Sequence, residues 1–331
     1  MKKSILSIIL AGVSITMMSQ KSSDSTTNNP GWLWEISGNG LTQKSYLFGT
    51  CHGGGHSFTH DEVFGFGGVG KALSNVKTVY FETDLTVSNR LAAKEMSIAE
   101  YLGCHKDIIK DDLMPDGTTY ESLFDSVTQY QEVHQFLSQK MGDAEYWKKT
   151  PLYWLNHLSG YNLAKGYYGF RAADGVLYQE AVKRGIEIGQ LESTEQHAQW
   201  MGRLNNKRRQ RPDIPLKFQA TMLYIGIHND DDQMLEPMKE IQAAYLENDT
   251  CRLHDVLESQ AKNDELNSAN PLNSGHSLFP VQAMNQAWCP VIEQNIAKGA
   301  CMVAVGARHL LGNDGLIAML RRKGYTVEAV K

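Results

Sequence analysis

Short runs of aliphatic and aromatic residues alternate along the chain with longer segments of helical periodicity. The short runs are rich in β-branched and aromatic residues, which predicts strands; they lie at 32–36, 45–49, 76–81, 186–191, 300–305 and 325–330. Gly38-Asn39-Gly40 separates the first two runs, and this turn chemistry predicts a hairpin. The run 300–305 is almost entirely apolar, as expected for a central strand whose two faces are both covered.

Apolar residues recur every three to four positions in the longer segments, which predicts helices. Such segments lie at 97–102, 119–141, 151–165, 174–185, 281–298 and just before Lys323. Strands that alternate with helices predict an α/β fold with a largely parallel central sheet flanked by helices. Two blocks, at about 88–171 and 193–261, contain no strand-like run of any length. We expect them to be helical insertions that form a cap.

The first thirty residues differ from the rest of the chain. Lys2 and Lys3 precede an apolar run at 5–16 that is too short to span a bilayer comfortably. This pattern predicts a signal peptide at 1–20, followed by a flexible polar tail at 21–30. Residues 31–331 are then a single domain, exported to the periplasm or secreted, with no transmembrane segment in the mature chain.

The overall composition limits the classes of partner. The chain has 331 residues, of which 42% are hydrophobic, enough for a substantial core. Its formal net charge is −5, so no general basic field points to nucleic acid. The basic run at 207–211 has no interleaved aromatic residues and is predicted to be a solvated loop or helix end. We therefore expect no nucleic-acid partner.

The cysteines do not indicate a structural zinc site. The chain has five, which are Cys51, Cys104, Cys251, Cys289 and Cys301. An odd number leaves at least one unpaired or paired between chains, and no CxxC spacing occurs. Cys51 adjoins His52, so a catalytic thiol is conceivable. Neighbours on a strand face opposite ways, however, and this favours a buried, inert Cys51.

Two segments far apart in the chain share one pattern. Gly49-Thr50-Cys51-His52 and Gly306-Ala307-Arg308-His309 each place a glycine and then a histidine directly after an apolar strand. Functional groups of open α/β sheets gather beyond the carboxyl ends of the strands, and glycine lets the chain turn sharply there. We therefore expect His52 and His309 to meet. Two histidines and a carboxylate are a common ligand set for a hydrolytic metal ion.

Other polar residues follow the predicted strands. Glu82 ends a strand among apolar residues, where an unpaired carboxylate would be costly, so we expect either a metal ion or a basic side chain beside it. Asp84 is more simply explained as a turn residue or a helix cap. His56 and His60 follow Gly53-Gly54-Gly55, which disfavours a helix, and are predicted to be loop histidines.

Glu192 has two interpretations that the sequence does not separate. It follows the predicted strand at 186–191 and would then lie at the same edge as Glu82. Alternatively, the segment begins a helix, with Ser193 or Thr194 as its cap.

These motifs together resemble the TraB/PrgY/GumN family, which includes the animal Tiki proteases. The resemblance runs from about Leu33 to Val330. It is carried by Leu33-Trp34-Glu35, by the segment 45–52, by Phe81-Glu82-Thr83-Asp84, by Asp174-Gly175-Val176-Leu177, by the segment 189–196 and, most specifically, by the segment 305–312. The resemblance implies an erythromycin-esterase/ChaN-like α/β fold.

By analogy with Tiki, the resemblance also implies a metal-dependent peptidase that uses Mn²⁺ or Co²⁺, with Zn²⁺ as an alternative. The metal ligands would be His52, His309 and Glu82. The catalytic group would comprise Glu82, as a third ligand or as the base, Glu192 in support, and Asn285, which matches the asparagine of a family Arg-Asn pair.

One departure from the family pattern keeps a second hypothesis open. The family's arginine is replaced here by Met284, and Arg308 is a candidate substitute for the missing cation. The leading hypothesis is a hydrolase that cleaves a peptide or amide bond of a peptide or protein substrate through a metal-bound water. The alternative, favoured by Met284, is a non-catalytic extracytoplasmic binding protein that sequesters a peptide signal or an envelope component.

Overall fold

The computed structural model of the chain describes the region from the first predicted strand to the last, with gaps. The described residues are 31–51, 56–97, 100, 113–155, 157–158, 171–193, 195–197, 199–200, 214–228, 231–266 and 280–330. The predicted signal peptide and tail, His52, Cys104 and the basic run at 207–211 lie outside these ranges.

Six strands form one mixed sheet. They are β1 Leu33–Gly38, β2 Ser45–Thr50, β3 Thr78–Phe81, β4 Glu187–Gln190, β5 Cys301–Gly306 and β6 Tyr325–Ala329. Their order across the sheet is β4-β3-β5-β2-β1-β6. The first four strands in this order are mutually parallel, whereas β1 runs antiparallel to both of its neighbours. The predicted α/β class with a largely parallel sheet is therefore confirmed.

Helices connect the strands. The α-helices are α1 His60–Phe64, α2 Val69–Ser74, α3 Thr86–Ala92, α4 Val127–Gln135, α5 Ala173–Lys183, α6 Leu216–His228, α7 Asp231–Leu246, α8 Thr250–Leu266, α9 Val281–Lys298 and α10 Leu316–Arg322. The segment predicted as helical at 119–141 is broken into a 3₁₀ turn at Glu121–Leu123, α4, and a π-helical turn at Phe136–Lys140.

The predicted hairpin is present between β1 and β2. Leu33 pairs with Phe48 and Ile36 with Ser45. Asn39 at the turn has a φ of 48°, in the left-handed region that asparagine and glycine adopt most readily.

The central strand β5 has both faces covered, as the apolar run predicted. Met302 and Ala304 point into a cluster that includes residues of α1, α2, α5 and α7. Cys301 and Val303 point the other way, into a cluster built largely by α9 and α10. Because helices cover both faces, polar side chains that follow the parallel strands can gather only at the carboxyl edge of the sheet.

The two predicted helical blocks share a third apolar cluster. Tyr146 and Trp154 of the first block pack there with Val133 and Leu137 of the same block and with Leu223 of α6. The described parts of the two blocks therefore contact each other. Among the described helices, none is long and apolar enough to cross a membrane.

Candidate functional site at the carboxyl edge of the sheet

Three adjacent parallel strands carry polar residues just beyond their carboxyl ends. Glu82 follows β3, Glu192 lies two residues after β4, and His309 ends a 3₁₀ turn, Ala307–His309, that follows β5. Since β3 lies between β4 and β5 in the sheet, the three turns are neighbours. The sheet register thus brings together side chains that are more than 200 positions apart in the sequence.

The orientation of His309 is set by Asn285 of α9. His309 is only 4% exposed, and its Nδ1 lies 2.7 Å from Asn285 Oδ1. The amide nitrogen of Asn285 donates to the backbone carbonyl oxygens of His309, at 3.1 Å, and Asp314, at 2.9 Å. Because these two bonds place the amide NH₂ group away from the ring, Oδ1 must accept a hydrogen from Nδ1. In the neutral imidazole, Nε2 is then the nitrogen that carries the lone pair.

Nε2 of His309 faces the carboxylate of Glu82. The distance from Nε2 to Glu82 Oε1 is 3.7 Å, too long for a hydrogen bond. The same carboxylate oxygen accepts the backbone N–H of Gly306 at 2.7 Å, which holds it beside the turn after β5. Two atoms that each bond one ion at about 2.0–2.2 Å can lie up to roughly 4.2 Å apart, so these two donor atoms fit a shared cation.

Trp288 joins His309 to Glu192. Its ring centroid lies 4.6 Å from that of His309, and its Nε1 donates to Glu192 Oε2 at 3.0 Å. The other oxygen of Glu192 lies 2.8 Å from His197 Nδ1. Glu192 is 3% exposed, so both carboxylate oxygens are held in place and satisfied. A cavity of about 120 Å³, lined in part by Trp200, opens beside this group.

One helix supplies Asn285 and Trp288. The two residues are three positions apart in α9, so they lie on the same face. Met284, the predicted counterpart of the family's arginine, is fully buried in an apolar cluster with Val305 and Leu310. An arginine there would need a buried partner for its charge.

The family model for TraB/PrgY/gumN matches residues 32–329, from the residue before β1 to the end of β6. The chain belongs to the TraB/PrgY/gumN family. No curated protein and no solved structure matches it.

Four of the predicted site residues of this TraB/PrgY/gumN chain come together, namely Glu82, Glu192, Asn285 and His309. The fifth, His52, lies outside the described residues, so its place beside His309 stays a prediction. Within the described ranges, no three His, Cys, Asp or Glu side chains converge to hold a metal ion. Glu82 and His309 thus offer two donor atoms, and His52 as the third ligand stays a prediction.

Residues with simpler predicted roles have them in the structure. Cys51 is buried as predicted, and burial, assisted by the charge of Asp174, raises the pKa of its thiol to about 12. A thiol that stays protonated at neutral pH is a poor nucleophile, so Cys51 is not a candidate for catalysis.

Asp84 is a turn residue whose Oδ1 accepts the backbone N–H of Thr86 at 2.9 Å.

The structure also shows the surroundings of His56 and His60 and of the turn after Glu192. Nε2 of His56 lies 3.0 Å from Glu62 Oε1. His60 is the first residue of α1, so its prediction as a loop residue is wrong. The glycines that disfavoured a helix lie farther upstream, and Thr59 caps α1. Ser193 Oγ accepts the backbone N–H of Gln196 at 3.2 Å, so Glu192 both precedes a capped turn and lies in the site.

Two members of the site were not predicted. Trp288 was missed although its spacing of three from Asn285 places both on one helix face. His197 was also missed, because its contact with Glu192 depends on the local turn at Ser193 and no sequence signal marks it. The described cysteines, Cys51, Cys251, Cys289 and Cys301, are free thiols.

Proposed function

We propose that this protein is a metal-dependent hydrolase that cleaves a peptide or amide bond, with His309, Glu82 and His52 as its metal ligands. One observation supports this most directly. Asn285 holds the His309 ring so that its Nε2 faces a carboxylate oxygen of Glu82 at 3.7 Å, a separation that suits two ligands of one ion. In the neutral imidazole this nitrogen carries a lone pair, and a cation between the two atoms would bind both.

Each site residue then has a distinct task. Asn285 fixes the tautomer and the rotation of the His309 ring, as outer-shell partners of histidine ligands do. Glu82 either binds the ion or accepts a proton, with its position set by the Gly306 N–H. Glu192 holds Trp288 against His309 and so keeps the ring in place. A divalent ion bound there would lower the pKa of a coordinated water and supply a nucleophile near neutral pH.

The remaining parts of the proposal follow from the family resemblance. We propose Mn²⁺ or Co²⁺ as the ion, with Zn²⁺ as the alternative, and an erythromycin-esterase/ChaN-like fold in which the helical blocks at about 88–171 and 193–261 form a cap over the site. Export through a signal peptide at 1–20, to the periplasm or beyond the cell, belongs to the same proposal.

A second candidate function is a binding protein without catalysis. Met284 favours it, because the position of the family's arginine is filled by a fully buried apolar side chain. A cation that stabilises developing negative charge contributes strongly to acyl-transfer reactions, and its loss would leave binding intact while reducing turnover.

Metal content is the first test. The purified chain is loaded in turn with Mn²⁺, Co²⁺ and Zn²⁺, dialysed, and analysed by plasma emission. We expect about one ion per chain in the wild type and strong loss of the ion in His309→Ala and Glu82→Gln. His228→Ala, which changes a half-exposed histidine of α6, is the matched control and should retain the ion. Equal metal content in the wild type and both site variants would refute the metal site.

Cleavage separates the two candidate functions. The metal-loaded wild type is incubated with a diverse peptide library, and products are identified by mass spectrometry. Cleavage that His309→Ala abolishes supports the hydrolase. Retention of metal and of bound peptides without any cleavage supports the binding protein.

A further inference from the structure

The strand β4 lies at one end of the sheet and has a free edge. Among the described residues it pairs with β3 alone, from Thr78 opposite Glu187 to Phe81 opposite Gln190. The backbone N–H of Glu187 donates to Lys77, before the paired segment, and that of Leu191 donates to Phe81 at its end. Alternation along a parallel pair therefore turns the N–H and C=O groups of residues 187, 189 and 191 toward β3.

The intervening residues, Ile188 and Gln190, direct their backbone groups away from the sheet. Among the described residues, no strand lies on that side of β4 to pair with these groups. Both side chains are exposed, with 39% of Ile188 accessible, so the edge is open to solvent. The strand has neither lysine nor proline, which are common devices that prevent pairing at an edge. Two donors and two acceptors with strand spacing are thus available to an extended chain.

A groove of about 290 Å³ adjoins this edge at the carboxyl end of β3. It is lined by Thr83, Asp84, Thr86, Tyr178, Ile188, Gly189 and Gln190. Among the described residues of the lining, Asp84 is the only charged side chain. Its carboxylate favours a positively charged group in the groove.

We propose that an extended peptide with a basic side chain adds to the free edge of β4 as a further strand, with that side chain in the groove at Asp84. Main-chain hydrogen bonds to Ile188 and Gln190 provide the affinity, as in other cases of strand addition, and the groove provides the selectivity. The proposal rests on the proposed peptide hydrolysis for its biological role, because a surface that holds an extended peptide would serve an enzyme that cleaves one.

A second copy of this chain is a poorer occupant of the edge. A stable protein interface buries about 1,200–2,000 Å² in total, and β4 has only the residues Glu187–Gln190 to offer. A short peptide has no such requirement, because it needs only the strand and the groove.

The binding test uses the full chain carrying His309→Ala, without added metal, so that it does not depend on catalysis. The probes are fluorescein-labelled, capped hexapeptides in which valine alternates with lysine, glutamate or threonine, measured by fluorescence anisotropy. We expect the lysine series to bind at least tenfold more tightly than the glutamate series. Asp84→Asn should remove most of this preference. Absence of binding by every series, or equal binding of the lysine and glutamate series, would overturn the proposal.

The backbone contribution is tested with a pair of matched variants. Ile188→Pro removes only an N–H that points away from β3, and proline is tolerated at such edge positions. Ile188→Val keeps that N–H and a β-branched side chain. We expect the lysine peptide to bind at least tenfold more weakly to Ile188→Pro than to Ile188→Val, with both variants folded by circular dichroism. Equal affinity for the two variants would overturn strand addition.

N-methylated peptides provide an independent measurement. Alternate residues of an extended peptide direct their N–H groups toward β4, so methylation of the lysine amides and methylation of the valine amides must differ in effect. Methylation of one set of amides should abolish binding, and methylation of the other set should leave it nearly unchanged. Equal effects of the two would contradict the proposal. Sedimentation of a wild-type dimer that Ile188→Pro converts to a monomer would assign the edge to a second copy instead.

These outcomes separate the two proposals. Peptide binding that follows this pattern without metal retention would refute the hydrolase and keep the strand-addition site. Metal retention and cleavage that do not depend on Ile188 or Asp84 would support the hydrolase and refute the strand-addition site.

Discussion

The side-chain amide of Asn285 links helix α9 to the turn that carries His309. Its oxygen lies 2.7 Å from Nδ1 of the imidazole, and its nitrogen donates to the carbonyl oxygens of His309 and Asp314. Asn285 is fully buried, so no water replaces these bonds. One residue therefore contacts both the backbone after β5 and the ring of His309, and it sets the nitrogen on which a neutral His309 carries its hydrogen.

Replacement of Asn285 should affect metal binding and stability together. Asn285→Ala leaves two carbonyl groups and the imidazole N–H without their partner, which is expected to lower the free energy of unfolding by about 1–3 kcal/mol. Loss of an outer-shell partner should weaken metal affinity by about 10–100-fold. Isothermal titration with Mn²⁺ and urea denaturation measure the two effects.

Asn295→Ala is the matched control for this prediction. Asn295 is also buried and lies in the same helix, but its Oδ1 accepts from Lys298, away from the site. We expect Asn295→Ala to lower stability without changing metal affinity. If both variants had the same metal affinity as the wild type, the role of Asn285 would be structural only.

The hydrogen bond from Trp288 to Glu192 should contribute more to stability than an indole N–H usually does. Trp288→Phe keeps a ring against His309 but leaves a buried carboxylate without one of its donors. Trp34→Phe is the control, because Trp34 Nε1 is buried with no hydrogen-bond partner among the described residues. We expect Trp288→Phe to cost about 1–3 kcal/mol more than Trp34→Phe, measured by denaturant unfolding. Equal costs would show that the Glu192 contact adds nothing.

The strands could be predicted from the sequence because each one has a distinct environment. The run 300–305 is apolar throughout, and β5 lies between β3 and β2 with a helical layer on each face. Gly38-Asn39-Gly40 provides the left-handed turn that the β1–β2 hairpin needs. The strand order was not predictable in the same way, since it depends on crossover connections and not on local pattern.

The site was only partly predictable for a related reason. Glu82 and His309 follow strands, so their place at the carboxyl edge is a consequence of topology. Trp288 and His197 enter through contacts between elements that no local pattern encodes, namely the packing of α9 on the sheet and the turn after Glu192. The helical segment at 119–141 showed the period of a helix, but the sequence did not indicate its break into three types of turn.

The glycine of the first GxxH segment is required by close packing. A Cβ at Gly49 would lie 3.0 Å from Leu310 Cδ1 and 3.3 Å from Ala307 Cα, both beside His309. We expect Gly49→Ala to lower the free energy of unfolding by about 1–3 kcal/mol. Gly70→Ala is the control, because its Cβ would meet only Phe64 at 3.7 Å in helix α2 and should stabilise the protein by about 0.5–1 kcal/mol. Chemical denaturation measures both, and an unchanged stability in Gly49→Ala would contradict the packing argument.

The thiol of Cys301 should make stability depend on pH in the alkaline range. Burial raises its pKa from 9.0 to about 11, partly offset by a hydrogen bond with Ser45. The unfolded chain therefore loses this proton at lower pH than the folded chain does. The resulting stabilisation is fully present below pH 9 and is lost as the pH rises toward and through 11, by about 2 kcal/mol at pH 10.5.

Comparison of the wild type with Cys301→Ala isolates this contribution, because the other ionisable groups titrate in both proteins. We expect the difference in their free energies of unfolding to shift by about 2 kcal/mol in favour of the variant between pH 8 and pH 10.5. A constant difference for Cys301→Ala would mean that the buried thiol ionises as readily in the folded protein as in the unfolded chain.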